Sequence, residues 1–270
     1  MPLFICSTCG TQYPPSDAPP ASCPICTDER QYVPASGQSW TTLERLKTTH
    51  SNKFRRLAPG LTTIETTPAF GIGERAMLVQ TGAGNVLWDC IALIDEATID
   101  LVKGMGGITA IAISHPHYYT TMVEWSRAFG GVPIYLHAAD REWVMRADSS
   151  VQFWDSDTRP IAPGLTLVRL GGHFAGGTVL HWADWDDGRG VVLSGDVLQV
   201  VPSGHVSFMW SYPNLIPLSA AKVLRIAERL EPFAFDAVYG AFSGRGQIDT
   251  NGKEVVAASV ARYVARISEA

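Results

Sequence analysis

The apolar run Ile108-Thr109-Ala110-Ile111-Ala112-Ile113 ends abruptly in Ser114-His115-Pro116-His117-Tyr118-Tyr119-Thr120, and this junction constrains the fold more than any other stretch. The run reads as a buried strand. Two imidazoles one residue apart at its end can address one metal ion, because side chains at i and i+2 leave the same side of an extended backbone. Tyr119 and Thr120 occupy the next positions where ligands would be sought, and both bind borderline metals poorly. The expectation is a metal site with a reduced ligand set.

Around this junction the pattern alternates between strand and helix. Helix-favouring residues fill Thr41 to His50, and Leu61 to Thr67 alternates as a strand. Ala76 to Gln80 and Val86 to Asp89 form a hairpin pattern, and Asp95 to Lys103 a helix closed by Gly104. Thr121 to Phe129 and Asp140 to Met145 read as helices, with a strand at Pro133 to His137 between them. Strands then follow at Leu165 to Leu170, Thr178 to Trp182 and Val191 to Leu193. The helix Leu218 to Leu230, a short strand at Ala237 to Tyr239 and the helix Glu254 to Ile267 complete the chain. Trp185, with Asp184, Asp186, Asp187 and Gly188, reads as a turn carrying solvated charges. Several strands run into loops that bear His or Asp, where α/β enzymes keep their chemistry.

The N-terminus carries a second, separate signal. Cys6-Ser-Thr-Cys9-Gly10 and Cys23-Pro-Ile-Cys26 are two Cys-x-x-Cys knuckles, which in a reducing compartment indicate a metal site rather than disulfides. Two knuckles give tetrahedral four-thiolate coordination, suited to zinc and also to iron in a rubredoxin-like site. So short a segment buries little of its own, so metal binding supplies most of its folding free energy. Residues 1–35 are therefore read as a module that resembles a zinc ribbon, with Cys6, Cys9, Cys23 and Cys26 as structural ligands, and 36–270 as the main domain. Cys90 is expected to pack in the interior.

In order, the candidates at strand ends are His115, His117, His173 and Asp196: three imidazoles and a carboxylate, a set that suits Zn²⁺ or Fe²⁺ with a position left for water or substrate. With Gly84-Asn85-Val86-Leu87-Trp88-Asp89, His115-Pro116-His117, Gly-Gly-His173 and Ser-Gly-Asp196 in this sequence, the chain resembles the metallo-β-lactamase superfamily over roughly residues 50–270. The resemblance implies an αββα sandwich with a metal site at its rim. It implies that His115, His117 and His173 hold a first ion, with Asp196 at the family's bridging position. The second ion's ligands do not carry over: Tyr119 and Thr120 replace the expected Asp and His, and Gly240-Ala241-Phe242 fills the region of the last histidine. One bound ion is expected. His205, in the loop after Asp196, is a further candidate for a ligand or substrate contact. His137 and His181 read as structural, and His50 as a surface residue. The aromatic stretch Phe208 to Pro217 reads either as a wall of the substrate cleft or as a cap on the core.

Three functions follow. The first is a mononuclear metal-dependent hydrolase of an ester, amide, thioester or phosphoester, with Asp196 as ligand or orienting group and Tyr119 as a hydrogen-bond donor to an oxyanion. A mononuclear non-haem iron oxygenase, similar to the superfamily's sulfur dioxygenases, is the second. The third is a non-catalytic scaffold in which the N-terminal module docks a protein partner or a second copy of the chain. Among 270 residues, 46% are hydrophobic and 17% charged, which provides for a sizeable core. The net charge of −5 argues against nucleic acid as a partner, and no apolar run is long enough to span a bilayer. With no basic-then-apolar leader at the N-terminus, the expected location is the cytoplasm and the expected ligand a small molecule.

Overall fold

Alternation and β-branching along Leu61–Thr67 and Arg75–Thr81 make the centre of a sheet, and the rest of the first compact unit is arranged around it. A computed structural model describes residues 1–244 and 246–268; residues 245, 269 and 270 of the expected main domain lie outside the described residues. The chain divides into two compact units, residues 1–136 with 140–153, and residues 137–139 with 154–270. Residue 35, where the cysteine segment ends in the sequence, falls inside the first unit.

The first unit begins with a small sheet of β1 (Leu3–Cys6), β2 (Gln12–Pro15) and β3 (Trp40–Thr42), with α1 (Pro24–Thr27) between β2 and β3. Helix α2 (Leu43–Thr49) is shorter than the sequence suggests. Thr42 ends β3 and caps the helix, its hydroxyl accepting from the Arg45 N–H at 3.4 Å. The larger sheet has seven strands. Antiparallel β4 (Ser51–Ala58), β5 (Leu61–Thr67), β6 (Arg75–Thr81) and β7 (Gly84–Trp88) are followed by β8 (Ala110–Ala112), β9 (Ile134–His137) and β10 (Val151–Trp154). Pairs such as Ile64 with Ala76 and Leu78 with Leu87 fix the register. The pairings of β7 with β8 and β8 with β9 are parallel, so helical crossovers connect them. Helix α3 (Glu96–Gly104) serves the first, with Asp95 capping it through the Thr98 N–H at 2.8 Å. Its end differs from expectation: Met105 is the C-cap, and the left-handed residues are Gly106 and Gly107, not Gly104. Helix α4 (Met122–Ala128) serves the second, anchored by Trp125 Nε1–H donating to the Ile91 carbonyl at 3.0 Å.

Two other expectations here are corrected. Only Ala110–Ala112 of the run at 108–113 pairs as strand. The segment around Asp140 is a 3₁₀ turn, Ala138–Trp143, whose regularity breaks at Asp140.

The second unit holds a five-stranded sheet in the order β11 (Thr158–Ala162), β12 (Leu165–Arg169), β13 (Thr178–Trp182), β14 (Val191–Gly195), β19 (Ala237–Gly240). All neighbours are antiparallel except β14 and β19, which run parallel with Val192 beside Val238. The single turn α5 (Trp185–Gly188) joins β13 to β14. Trp185 within it is buried rather than merely a turn residue, with the Arg189 guanidinium 5.6 Å above its ring. Two ribbons follow, β15 (Gln199–Val200) with β16 (Val206–Ser207), and β17 (Met209–Ser211) with β18 (Ile216–Pro217). Helix α6 (Ala220–Leu230) buries Val223, Ile226 and Leu230 at helical spacing against Val168, Val192 and Phe208, and α7 (Gly252–Ser268) adds Val256 and Val260 to that core. Each such aliphatic side chain stabilises the fold by about 1.5–3 kcal/mol. Among the described residues no helix is long and apolar enough to cross a membrane.

Entry into β14 depends on Gly190. Its φ is +74°, and an added Cβ would lie 2.6 Å from the Ala234 carbonyl oxygen and 3.2 Å from Phe235 Cα. These are main-chain atoms of one segment, which have little room to yield. Gly190→Ala is expected to lower the urea-unfolding free energy by roughly 2–4 kcal/mol; a loss under about 0.5 kcal/mol contradicts this account of the turn.

Candidate metal centres

Each histidine of the central group is positioned by local structure that the sequence specifies. Strand β8 ends, and Asp89, just past β7, accepts the Ser114 N–H on Oδ1 at 2.7 Å. Asp89 has φ +58°, a left-handed conformation that Asp tolerates better than most residues. His115 is the last extended residue, and Pro116–Tyr118 is a 3₁₀ turn with proline at its first position. The two imidazoles are thus brought together by a turn, not by strand alternation as the spacing suggests, with ring centroids 5.1 Å apart. Ser114 Oγ lies 3.0 Å from His115 Nδ1, and the Tyr118 ring packs edge-on against His115 at 4.7 Å. Tyr118 is a neighbour that the sequence reading passed over.

His173 follows two left-handed glycines, Gly171 and Gly172. Its Nδ1 is 2.6 Å from the Trp210 carbonyl oxygen. A carbonyl only accepts, so Nδ1 carries the hydrogen and Nε2 keeps its lone pair for a ligand. Asp196 follows β14, and the Tyr212 hydroxyl donates to its backbone carbonyl at 2.6 Å. The Tyr212 ring lies 5.7 Å from that of His173. The aromatic stretch therefore divides its work: Phe208 is fully buried in the core, while Trp210 and Tyr212 support the ligands.

His115, His117, His173 and Asp196 are all buried, and one ligand atom from each lies within 4.8 Å of all the others. Three imidazoles and a carboxylate at that spacing fit a divalent ion such as Zn²⁺. His205 is not in the group; it is half-buried between β15 and β16, its Nδ1 3.0 Å from the Ser203 carbonyl. His137 and His181 contact backbone carbonyls, of Ser156 at 3.3 Å and Ala234 at 2.7 Å, and burial holds both below the usual imidazole value. Tyr119 is buried in a small cavity with Thr11, Gln12, Thr120, Met122, Val123, Met145 and Arg146. Burial, with the Asp140 charge adding, pushes its hydroxyl well above the usual range.

The four cysteines form the second group. Their sulfurs also lie within 4.8 Å of one another, with Cys6 to Cys26 and Cys9 to Cys23 both at 3.6 Å. Gln38, which the sequence did not single out, donates from Nε2 to Cys6 Sγ at 3.0 Å and accepts the Cys23 N–H on Oε1. Hydrogen bonds from Cys23, Cys26 and Cys9 pull Cys6 down, whereas contacts with Cys23, Cys26 and Cys6 push Cys9 up. Four buried sulfurs at this spacing fit four-thiolate coordination of a single ion. Tyr13, Ile25, Trp40, Trp143 and Met145 surround it. Cys90 is fully buried, and desolvation raises its thiol well above the usual value, as expected of an interior cysteine.

No family model matches the chain. It is 49% identical over 267 residues to the uncharacterized protein YmaE of Bacillus subtilis (strain 168), across 98% of this chain and 96% of that one. Among solved structures it is similar to metallo-β-lactamase DIM-1 exposed to ceftazidime (TM-score 0.60, 11% identity, 81% of this chain and 98% of that one). It is also similar to FIM-1 from Pseudomonas aeruginosa in its mono-zinc form (TM-score 0.57, 17% identity, 81% and 97%). A third is VMB-1 (TM-score 0.58, 13% identity, 82% and 100%). The fold is that of the metallo-β-lactamases.

One buried acid in the first unit has a measurable consequence. Glu74 is 4% exposed, and desolvation raises its carboxyl from 4.5 to about 8, against backbone N–H groups of Glu74 and Ile72 that lower it. Below pH 4.5 both folded and unfolded chains hold the proton; between 4.5 and 8 only the folded chain does. Stability therefore falls as pH rises through that window, by roughly 3–5 kcal/mol in all, and the slope ends above the folded value. Glu74→Gln is expected to remove this component: the difference in urea midpoint between variant and parent should grow from pH 5 to 8. A difference independent of pH contradicts it.

Proposed function

This chain belongs to the same family as YmaE and carries the metallo-β-lactamase fold, and on that premise we propose that it is a metal-dependent hydrolase working with one ion. The observation that supports this most is the buried convergence of His115, His117, His173 and Asp196. Those four residues would hold the ion. When bound, it supplies a Lewis acid and lowers the pKa of water toward neutrality. A single ion is supported by Tyr119 and Thr120, poor ligands where a second ion would need good ones, and by the existence of FIM-1 in a mono-zinc form.

The chain's own residues supply positioning and proton handling. The Trp210 carbonyl fixes the tautomer of His173, and Tyr212 braces the backbone of Asp196. Asp196 is the carboxylate of the group, and it orients the attacking water or accepts its proton at an Oδ atom. Beside Trp210, a depression of about 240 Å³ is lined by Pro217, Leu218, Ser219 and Lys222, with Lys222 Nζ 4.4 Å from the Trp210 ring. An apolar wall with a cation suits an ester, thioester or amide substrate that also carries a carboxylate.

His173→Ala is expected to lose one equivalent of metal per chain, counted by elemental analysis, together with hydrolysis across a panel of chromogenic esters, thioesters and lactams. Retention of both refutes the proposed ligand set. Within the same panel, Lys222→Ala should raise KM about three- to tenfold for carboxylate-bearing substrates and leave neutral ones unchanged. An equal effect on both kinds removes the role given to Lys222.

A further inference from the structure

The four-cysteine module does not hang free of the histidine-bearing turn. The Gln12 N–H donates to the Thr120 carbonyl at 3.1 Å. Gly10, at φ +77°, lets the knuckle lie flat on that turn: an added Cβ would stand 3.2 Å from Thr120 Cγ2 and 3.3 Å from Ala92 Cβ. Thr120 has φ +29°, a costly conformation for a β-branched residue, held only where its surroundings over-determine it. Arg146 strengthens the seam, donating to Gln12 Oε1 and to Glu124 Oε1 in the first turn of α4. Side chains from both partners close around a cavity of about 10 Å³, space for about one water. The module covers the two residues that stand where the superfamily's second ion would be held.

We infer that Gln12 is a positioning residue for the histidine group, and that filling the four-cysteine site strengthens binding of the ion at His115, His117, His173 and Asp196. The inference rests on the reading that this group binds an ion. Four sulfurs gathered within 4.8 Å of one another are tied together by a bound cation, and without it the knuckle that aims the Gln12 N–H is less well ordered. Thr120 then loses its partner, and its strained backbone is free to relax. The turn Pro116–Tyr118 lies two residues upstream and carries His117, so the relaxation reaches a ligand. Linkage makes the effect mutual: an ion in the histidine group strengthens binding in the cysteine group by the same factor.

The test is cobalt loading of the metal-free full chain. Thiolate charge-transfer absorption reports the cysteine site, and chelator competition with the ligand-field spectrum reports the histidine site. Gln12→Pro removes the N–H and leaves every cysteine in place. It should keep the full charge-transfer band, bind the second ion about five- to tenfold more weakly and shift its spectrum. Gln12→Ala loses the Arg146 contact as Gln12→Pro does but keeps the N–H, and should return affinity to within about twofold of the parent, with the parental spectrum. A parental affinity and spectrum in Gln12→Pro overturn the inference while leaving the hydrolase reading intact. A parent chain that takes up only the thiolate-bound cobalt overturns both. Should Gln12→Pro lose the charge-transfer band, the chain with Cys6→Ser, Cys9→Ser, Cys23→Ser and Cys26→Ser decides. Weakened binding of the remaining ion supports the coupling, and undiminished affinity refutes it.

Discussion

A hydrogen bond from the Ser114 N–H to the Asp89 carboxylate, at Oδ1, fixes the chain where it enters the histidine-bearing turn. Parallel strands β7 and β8 run out together at this point. The bond fixes the backbone at the residue before His115, and the chain then enters the Pro116–Tyr118 turn. Hydrogen bonds to a charged acceptor contribute about 1.5–3 kcal/mol, enough to hold Asp89 in its left-handed conformation and to set the direction of the loop. The apolar strands position the ligands by burial, and this bond aims them.

Two metal-capable groups occur among the described residues, and they differ in kind. Four cysteines at this spacing can close a coordination shell. Three imidazoles and a carboxylate leave a position for chemistry. The supports differ in how they reach their ligands. Gln38 touches sulfur and Ser114 Oγ lies beside His115 Nδ1, whereas His173 is held by the Trp210 carbonyl and Asp196 through its own carbonyl by the Tyr212 hydroxyl.

What was legible in the sequence was the part written in apolar period and in reactive side chains. The hairpin at β6 and β7, the helix capped by Asp95, and the members of both metal-capable groups are of this sort. Strand β4 was not legible. Its residues Ser51 to Ala58 include Lys53, Arg55 and Arg56 and show little apolar pattern, because an edge strand is kept polar to discourage pairing with other chains. The strands β1 and β2 are only four residues each, too short to show a period, although Ile5 of β1 packs with Leu46, Ala92 and Leu93. Backbone donors and acceptors leave no mark in a sequence, so the Trp210 carbonyl that His173 meets and the Gln12 N–H that Thr120 accepts are visible only in the structure. The spacing of His115 and His117 points to their convergence, but a proline-initiated turn, not strand alternation, brings it about.

The partner that orients His173 is a main-chain oxygen, and any amino acid at position 210 presents the same atom. The orientation of His173 is thereby insulated from side-chain identity at position 210, while Tyr212 acts on Asp196 through its own hydroxyl. Evolution can resurface the wall at position 210, exchanging an indole for an aliphatic or polar group and so altering which molecules are admitted, while the imidazole stays oriented as before. Selectivity and metal chemistry can drift apart along this lineage without one change having to rescue the other.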